Sequence, residues 1–293
     1  MKIAIASGKG GTGKTTMAVN LALVARERGG VRLIDCDVEE PNSHLFLNPV
    51  IEHRETVRVP VPQVDEDKCT ACGACGEICQ FSAIVTIGTK PLVFPELCHG
   101  CGGCKLVCPT GAITEVGREV GELESGRTQE GIAVTQGRLR IGEAMAPPLI
   151  RRLKQVRSGE EDVLIDAPPG TSCPVIASVI DCDFVVLVTE PTPFGLNDLK
   201  LAAEMVAELK LAAGVVINRA DLGDGRVRSY CEAAKLPILA EIPDSRAVAE
   251  AYSRGEPAVR LSGALREQFE GVLEAIRDRV RVAKPGKQGI KAG

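Results

Sequence analysis

Aromatic side chains are nearly absent: Phe, Tyr and Trp make up 3% of the 293 residues, and Trp does not occur at all. The core must therefore be aliphatic, and a stacking platform for single-stranded nucleic acid has little to build on. Excess positive charge is lacking too. A net charge of -4 exerts no pull on phosphate backbones, so nucleic acid is not an expected partner. No apolar run approaches bilayer length, the richest spanning residues 184–188. The opening Met1-Lys2-Ile3-Ala4-Ile5-Ala6 enters a glycine loop without the apolar stretch or cleavage site of a signal peptide. These absences predict a cytoplasmic globular protein with no stable membrane association.

Apolar residues reach 44%, ample for at least one large core, and the length suits two average domains. Cysteine is plentiful. There are twelve, and eight of them fall between Cys69 and Cys108. Such crowding would mean disulfides in a small secreted domain, but in a reducing compartment it points to metal.

Short apolar runs at 2–6, 31–36, 163–166, 184–189, 214–218 and 237–242 read as buried strands alternating with helices. This rhythm predicts an α/β fold with a mainly parallel sheet flanked by helices. Met17, Leu21 and Val24 mark one helical stripe, and Leu196, Leu199, Ala203 and Val206 another. The rhythm breaks from about 57 to 111, where Pro60, Pro62, Pro91 and Pro95 accompany the cysteines. An inserted domain is expected at 61–112, dividing a nucleotide-binding domain into 1–60 and 113–285, with a flexible tail at 286–293. The glycine-rich charged stretch from 117 to 137 reads as hairpin and loop, with regular pattern resuming near Ile141.

Gly8-Lys9-Gly10-Gly11-Thr12-Gly13-Lys14-Thr15 follows a predicted strand and opens a helix, the context a phosphate-binding P-loop requires. Glycines let backbone N–H groups approach phosphates, Lys14 can reach the β/γ oxygens, and the Thr15 hydroxyl can ligate Mg²⁺. With Thr16 the string resembles the deviant P-loop of the MinD/ParA/Mrp group of ATPases. That resemblance implies that Lys9 crosses a dimer to the partner's nucleotide.

Further motifs carry the resemblance over nearly the whole chain outside the insert. In Leu33-Ile34-Asp35-Cys36-Asp37 it implies that Asp37 orients the attacking water and Asp35 lies near Mg²⁺. Residues 163–170 look like a Walker B strand and switch II, with Asp166 holding a magnesium-bound water and Gly170 able to move. Asn218-Arg219 resembles the adenine-reading position, and Ile242-Pro243-Asp244 the later loop beside the base. No Asn-Lys-x-Asp guanine motif occurs, so ATP/ADP is favoured over GTP.

Cys69-x2-Cys72-x2-Cys75-x3-Cys79 and Cys98-x2-Cys101-x2-Cys104-x3-Cys108-Pro109 match the spacing of bacterial two-cluster ferredoxins. The two runs and their flanks repeat each other, the mark of a duplicated unit. Two [4Fe-4S] clusters are expected, with the distal cysteine of each run crossing over: Cys69, Cys72, Cys75 and Cys108 on one, Cys98, Cys101, Cys104 and Cys79 on the other. Gln80 stands where a proline usually follows. Structural zinc is the competing assignment, but it favours pairs of two-cysteine knuckles. Cys36, Cys173, Cys182 and Cys231 are scattered singly and read as packing residues. Cys231 lacks the Cys-x-x-Cys partner that Mrp-type cluster carriers use.

Three functions compete at this level. The leading one is a redox ATPase whose nucleotide switch gates electron transfer through two clusters to an unknown redox or acceptor protein. It would work as a nucleotide-dependent homodimer or as a heterodimer with a related ATPase. The second is an assembly or insertion factor for a cluster or metal cofactor. The third is a MinD-like positioning ATPase, which would need a membrane anchor. The stripe Leu265, Phe269, Val272 and Ile276 carries glutamates among its arginines on the polar face, so core docking is expected of it instead.

Overall fold

The computed structural model describes residues 1–156, 159 and 161–283. The expected tail at 286–293 lies outside the described residues. In chain order, β1 (Lys2–Ala6) leads into α1 (Lys14–Arg26), β2 (Val31–Asp35), α2 (His44–Leu47) and β3 (Val50–Val64). The cysteine-bearing segment contributes α3 (Ala74–Ile78), β4 (Ile84–Ile87), β5 (Lys90–Val93) and α4 (Gly103–Leu106). The chain returns through β6 (Ile113–Arg127), β7 (Ala133–Leu139), α5 (Pro147–Gln155) and β8 (Asp162–Asp166). Then come α6 (Cys173–Val179), β9 (Phe184–Thr189), α7 (Pro193–Glu208), β10 (Ala213–Asn218), α8 (Arg226–Ala233), β11 (Ile238–Ile242), α9 (Arg246–Ser253) and α10 (Gly263–Ala283).

Among the described residues, nine strands form one sheet in the order β11-β10-β9-β1-β8-β2-β7-β6-β3, parallel from β11 to β7 and antiparallel at β6 and β3. Its inner strands β1, β8, β9 and β10 are rich in aliphatic residues because helices cover both faces. One face packs Ile34, Val185 and Leu187 against Leu149, Leu153, Val175, Leu199 and Val206 of α5, α6 and α7. The other packs Ile3, Ile5 and Leu33 under α1, and α10 lays Phe269, Val272 and Ile276 on that layer. The helix α1 is therefore buried along nearly its whole length, from Met17 to Ala25. Each fully buried Leu or Ile stabilises by about 1.5–3 kcal/mol.

The stretch 117–137, expected as hairpin and loop, is a hairpin whose second strand, β7, is an inner strand paired with β2. Glycine here serves close approach. A Cβ on Gly126 would sit 2.0 Å from the Val50 carbonyl oxygen, and one on Gly137 would meet Val38 and Leu153 at 2.9 Å. Pro60 and Pro62 fit because β3 is the sheet edge, where a missing N–H breaks no second ladder.

Register fixes where the cysteines go. The strand β6 pairs with β7 only from Gly121 to Arg127, so residues 113–119, paired with 58–64 of β3, continue past the sheet as a two-stranded arm. At about 3.3 Å per residue the arm carries residues 65–112 on the order of 25 Å beyond the C-terminal edge of the parallel strands. That is also the edge at which the P-loop lies.

Candidate nucleotide site and cysteine module

The loop between β1 and α1 takes left-handed turns at Gly11 (φ 77°) and Gly13 (φ 99°), conformations that favour glycine. At Gly13 a Cβ would also approach Asn218 Nδ2 within 2.7 Å. A cavity of about 420 Å³ opens here, bounded at the phosphate end by Gly10, Gly11, Gly13, Lys14, Thr15 and Thr16, with Asp37 opposite. Its far end is walled by Asn218, Arg219, Pro243, Val248, Ala249 and Tyr252. Of the remaining loop residues, Gly8 presses on the Asp198 backbone of α7, and the Thr12 carbonyl accepts from Asn218 Nδ2 at 2.9 Å. The sequence motifs pointed to Asn218, Arg219 and Pro243. They missed the wall formed by α9, whose only local signal is the run after Asp244.

Three carboxylates gather behind Lys14. Asp35 is fully buried, and its oxygens accept the backbone N–H groups of Asp37, Asn42 and Ser43 at 3.0–3.1 Å. It thereby holds the loop that presents Asp37. Asp166, at the end of β8, accepts from Ser43 Oγ at 3.3 Å through Oδ2, while its buried Oδ1 has no hydrogen-bond partner among the described residues. Burial, reinforced by Asp35, pushes the Asp166 carboxyl up to about 8. Burial and then Asp35 push Asp37 up to about 6. Burial lowers Lys14, opposed by Asp166 and Asp37. A pocket of raised carboxyls with an orphaned oxygen is suited to a divalent cation, which favours the ionised forms. The Gly170 N–H donates to the Ser7 carbonyl at 3.0 Å, and a Cβ on Gly170 would meet nothing within 4 Å.

The cysteine segment shows its duplication in the backbone. Left-handed φ angles at Ala71, Gly73 and Ser82 recur at the corresponding Gly100, Gly102 and Gly111. The two turns also present N–H to sulfur alike, Ala71 to Cys69 and Gly100 to Cys98, each at 3.4 Å. Two cavities result. One is lined by Cys69, Cys72, Cys75 and Cys108, the other by Cys98, Cys101, Cys104 and Cys79. The fourth thiol of each set thus belongs to the other run. Burial raises Cys79, but the backbone N–H groups of Phe81, Ala83, Ile84 and Ser82 outweigh it and lower the thiol. Cys108 is lowered likewise, burial being overcome by the Thr110 hydroxyl and the backbone at Ala112, Thr110 and Ile113. Among the described residues, no three Cys, His, Asp or Glu side chains are grouped to hold a metal ion. The thiols stand around cavity walls. Phe81 and His99 stack at 3.6 Å beside the second cavity.

The single cysteines divide by exposure. Cys173 is exposed at the start of α6, whereas burial pushes Cys182 and Cys231 up to about 11 and raises Cys36 further.

A parallel α/β sheet with a glycine loop at the C-terminal edge and a cavity running from that loop to a base-sized wall defines a P-loop nucleotide-binding protein. Residues 3–258 match the CobQ/CobB/MinD/ParA nucleotide binding domain family, and the chain belongs to it. An uncharacterized protein of Methanocaldococcus jannaschii is 38% identical over 202 residues, 68% of this chain and 70% of that one. An iron-sulfur cluster carrier protein of the same organism is 26% identical over 305 residues, 97% of this chain and 86% of that one. Among solved structures, the cell division ATPase MinD of Pyrococcus furiosus superposes with a TM-score of 0.60 at 22% identity, covering 95% of this chain and 98% of that one. No helix among the described residues is long and apolar enough to cross a membrane.

Proposed function

We propose that this chain is an ATP-switched iron–sulfur protein in which nucleotide binding and hydrolysis gate electron transfer through two [4Fe-4S] clusters. The observation that carries the reading is the pair of cavities, each lined by four cysteines in the crossed pattern. Four thiols spread around a cavity suit a cube better than a single zinc ion, whose ligands converge on one point. Residues 61–112 would form the ferredoxin-like module, at the tip of an arm rooted in the nucleotide-binding sheet. When bound, the clusters would supply one-electron chemistry at low potential.

At the nucleotide site the loop backbone and Lys14 bind the phosphates, Asn218, Arg219 and Pro243 border the base, and Thr15 and Asp166 would hold Mg²⁺ directly or through water. Asp35 serves that site by positioning. Asp37 orients the attacking water, and Lys9 acts on the nucleotide of a second chain, as in the family the P-loop resembles. Coupling has a physical route through residue 38. The Val38 carbonyl accepts the Leu139 N–H at 2.8 Å, and Val38 packs with Val57, Val59, Val120 and Leu149 at the root of the arm. A movement of Asp37 toward the γ-phosphate therefore displaces a residue embedded in the arm's base.

The test is anaerobic. Wild-type protein held with Mg²⁺ and a non-hydrolysable ATP analogue should differ from nucleotide-free protein in reduction potential or in electron-transfer rate to an artificial acceptor. If neither changes, the switch and the clusters are uncoupled. A second reading, cluster delivery, is favoured by the relative named an iron-sulfur cluster carrier protein. It requires transfer of iron and sulfide to an apo-acceptor, whereas an electron carrier keeps both through repeated redox cycles.

A further inference from the structure

One carboxylate joins the two ends of the nucleotide cavity. Lys9 Nζ lies 3.2 Å from Glu190 Oε2, and Arg219 Nη1 lies 2.9 Å from Glu190 Oε1. The Glu190 side chain is 10% exposed, whereas Lys9 keeps 33%. A cation from the P-loop and a cation from the end of β10 thus share a nearly buried acid. Glu190 is the stationary member. Its carbonyl accepts the Thr192 N–H at 2.8 Å and lies where a Cβ on Gly195 would approach within 2.2 Å. Arg219 is fixed as well, paired with Asp244 at 3.4 Å on a left-handed backbone (φ 52°). Lys9 is the member that can leave, because it reaches Glu190 on a four-carbon stem with a third of its side chain exposed, while its own carbonyl accepts from Ser7 Oγ and Lys14 Nζ.

We infer that Glu190 is a positioning residue that parks Lys9 on its own chain and yields it only to a nucleotide-loaded second chain. The inference rests on the reading that Lys9 works in trans. Breaking a buried ion pair is costly when it strands a charge. Here Arg219 stays on Glu190 when Lys9 leaves, so no carboxylate is orphaned. The exchange is then decided by whether the partner offers phosphates that attract the ammonium more strongly than Glu190 does. Chains lacking nucleotide offer none, so the latch opposes idle pairing. Because Arg219 also borders the base end of the cavity, the lysine's release is tied to the element that lines the base.

The experiment measures self-association of the full-length, anaerobically purified protein by sedimentation velocity, with Mg²⁺ and a non-hydrolysable ATP analogue. Wild type, Lys9→Ala, Glu190→Gln, Glu190→Asp and the Lys9→Ala/Glu190→Gln double variant are compared at matched iron content. Gln keeps the shape and can still accept from Arg219, so the fold is retained. Glu190→Gln should pair at a concentration roughly twofold to thirtyfold lower than wild type, the range for releasing one partly exposed ion pair on each of two chains. Glu190→Asp, which restores the charge, should move back toward wild type. In the Lys9→Ala background Glu190→Gln should change nothing, because the effect runs through Lys9. A wild type that pairs no better than Lys9→Ala refutes the trans lysine and the latch with it. A functional trans lysine with an unmoved or weakened Glu190→Gln, or a Glu190→Gln effect that survives without Lys9, refutes the latch alone.

Discussion

Replacing Cys108 by alanine removes the last thiol of the second cysteine run, which lines the cavity of the first with Cys69, Cys72 and Cys75. Two cubes amount to about eight irons and eight sulfides per chain. Loss of one fourth ligand should lower iron to between about four, if the cube is lost, and about seven, if a three-iron remnant survives. Double variants decide which cube is affected, since residues acting on one unit are not additive and residues on separate units are. Cys72→Ala with Cys108→Ala should still hold about four irons, because both changes strike one cavity. Cys101→Ala with Cys108→Ala should leave no intact cube, with iron between almost none and about six if both three-iron remnants survive. Iron and sulfide analysis with electron paramagnetic resonance of the dithionite-reduced protein reads all four states. The reverse outcome, with the first pair emptied and the second pair keeping one cube, refutes the crossed assignment. Stoichiometric zinc without sulfide refutes the clusters altogether.

Lys14→Ala should abolish ATP turnover in a phosphate-release assay while iron content stays unchanged, because the cysteine module contains all its own ligands; unaltered turnover would remove this loop from the chemistry. In the nucleotide-free protein Asp37 titrates near 6 rather than at its ordinary 3.8, so its effect on stability is absent below pH 4 and grows destabilising as pH rises through 6. Asp37→Asn should accordingly stabilise the protein at pH 8 and not at pH 4, by at most about 2 kcal/mol once solvent screening is allowed for, read as a higher melting temperature at pH 8 alone. Equal shifts at both pH values would contradict that titration. Leu149→Ala, fully buried at the root of the arm, should cost about 2–5 kcal/mol in thermal or denaturant unfolding, and a negligible loss would mean that the arm is not anchored there.

Much of the sheet was legible because its strands are short aliphatic runs separated by helices, and residues 2–6 and 184–189 coincide with β1 and β9. The P-loop could be read because its chemistry is local: Gly11 and Gly13 supply the left-handed turns within one octapeptide. The cysteine spacing was likewise legible, since three thiols at three-residue intervals lie on one short stretch of chain whatever the rest of the chain does. Local sequence could not reveal β7. Gly137 looks like a loop residue until Val38 and the α5 residues Leu149 and Leu153 crowd against it and leave no room for a side chain. Nor could it reveal the wall formed by α9 or the sharing of Glu190 between Lys9 and Arg219, which joins residues remote in sequence. Sequence by itself therefore determined the phosphate loop, the strand rhythm and the cysteine runs, whose information lies within a few consecutive residues. Tertiary structure alone decided that the cysteine module stands on an arm beyond the nucleotide edge, because that follows from the register of β3 and β6, and register is set by packing between distant segments.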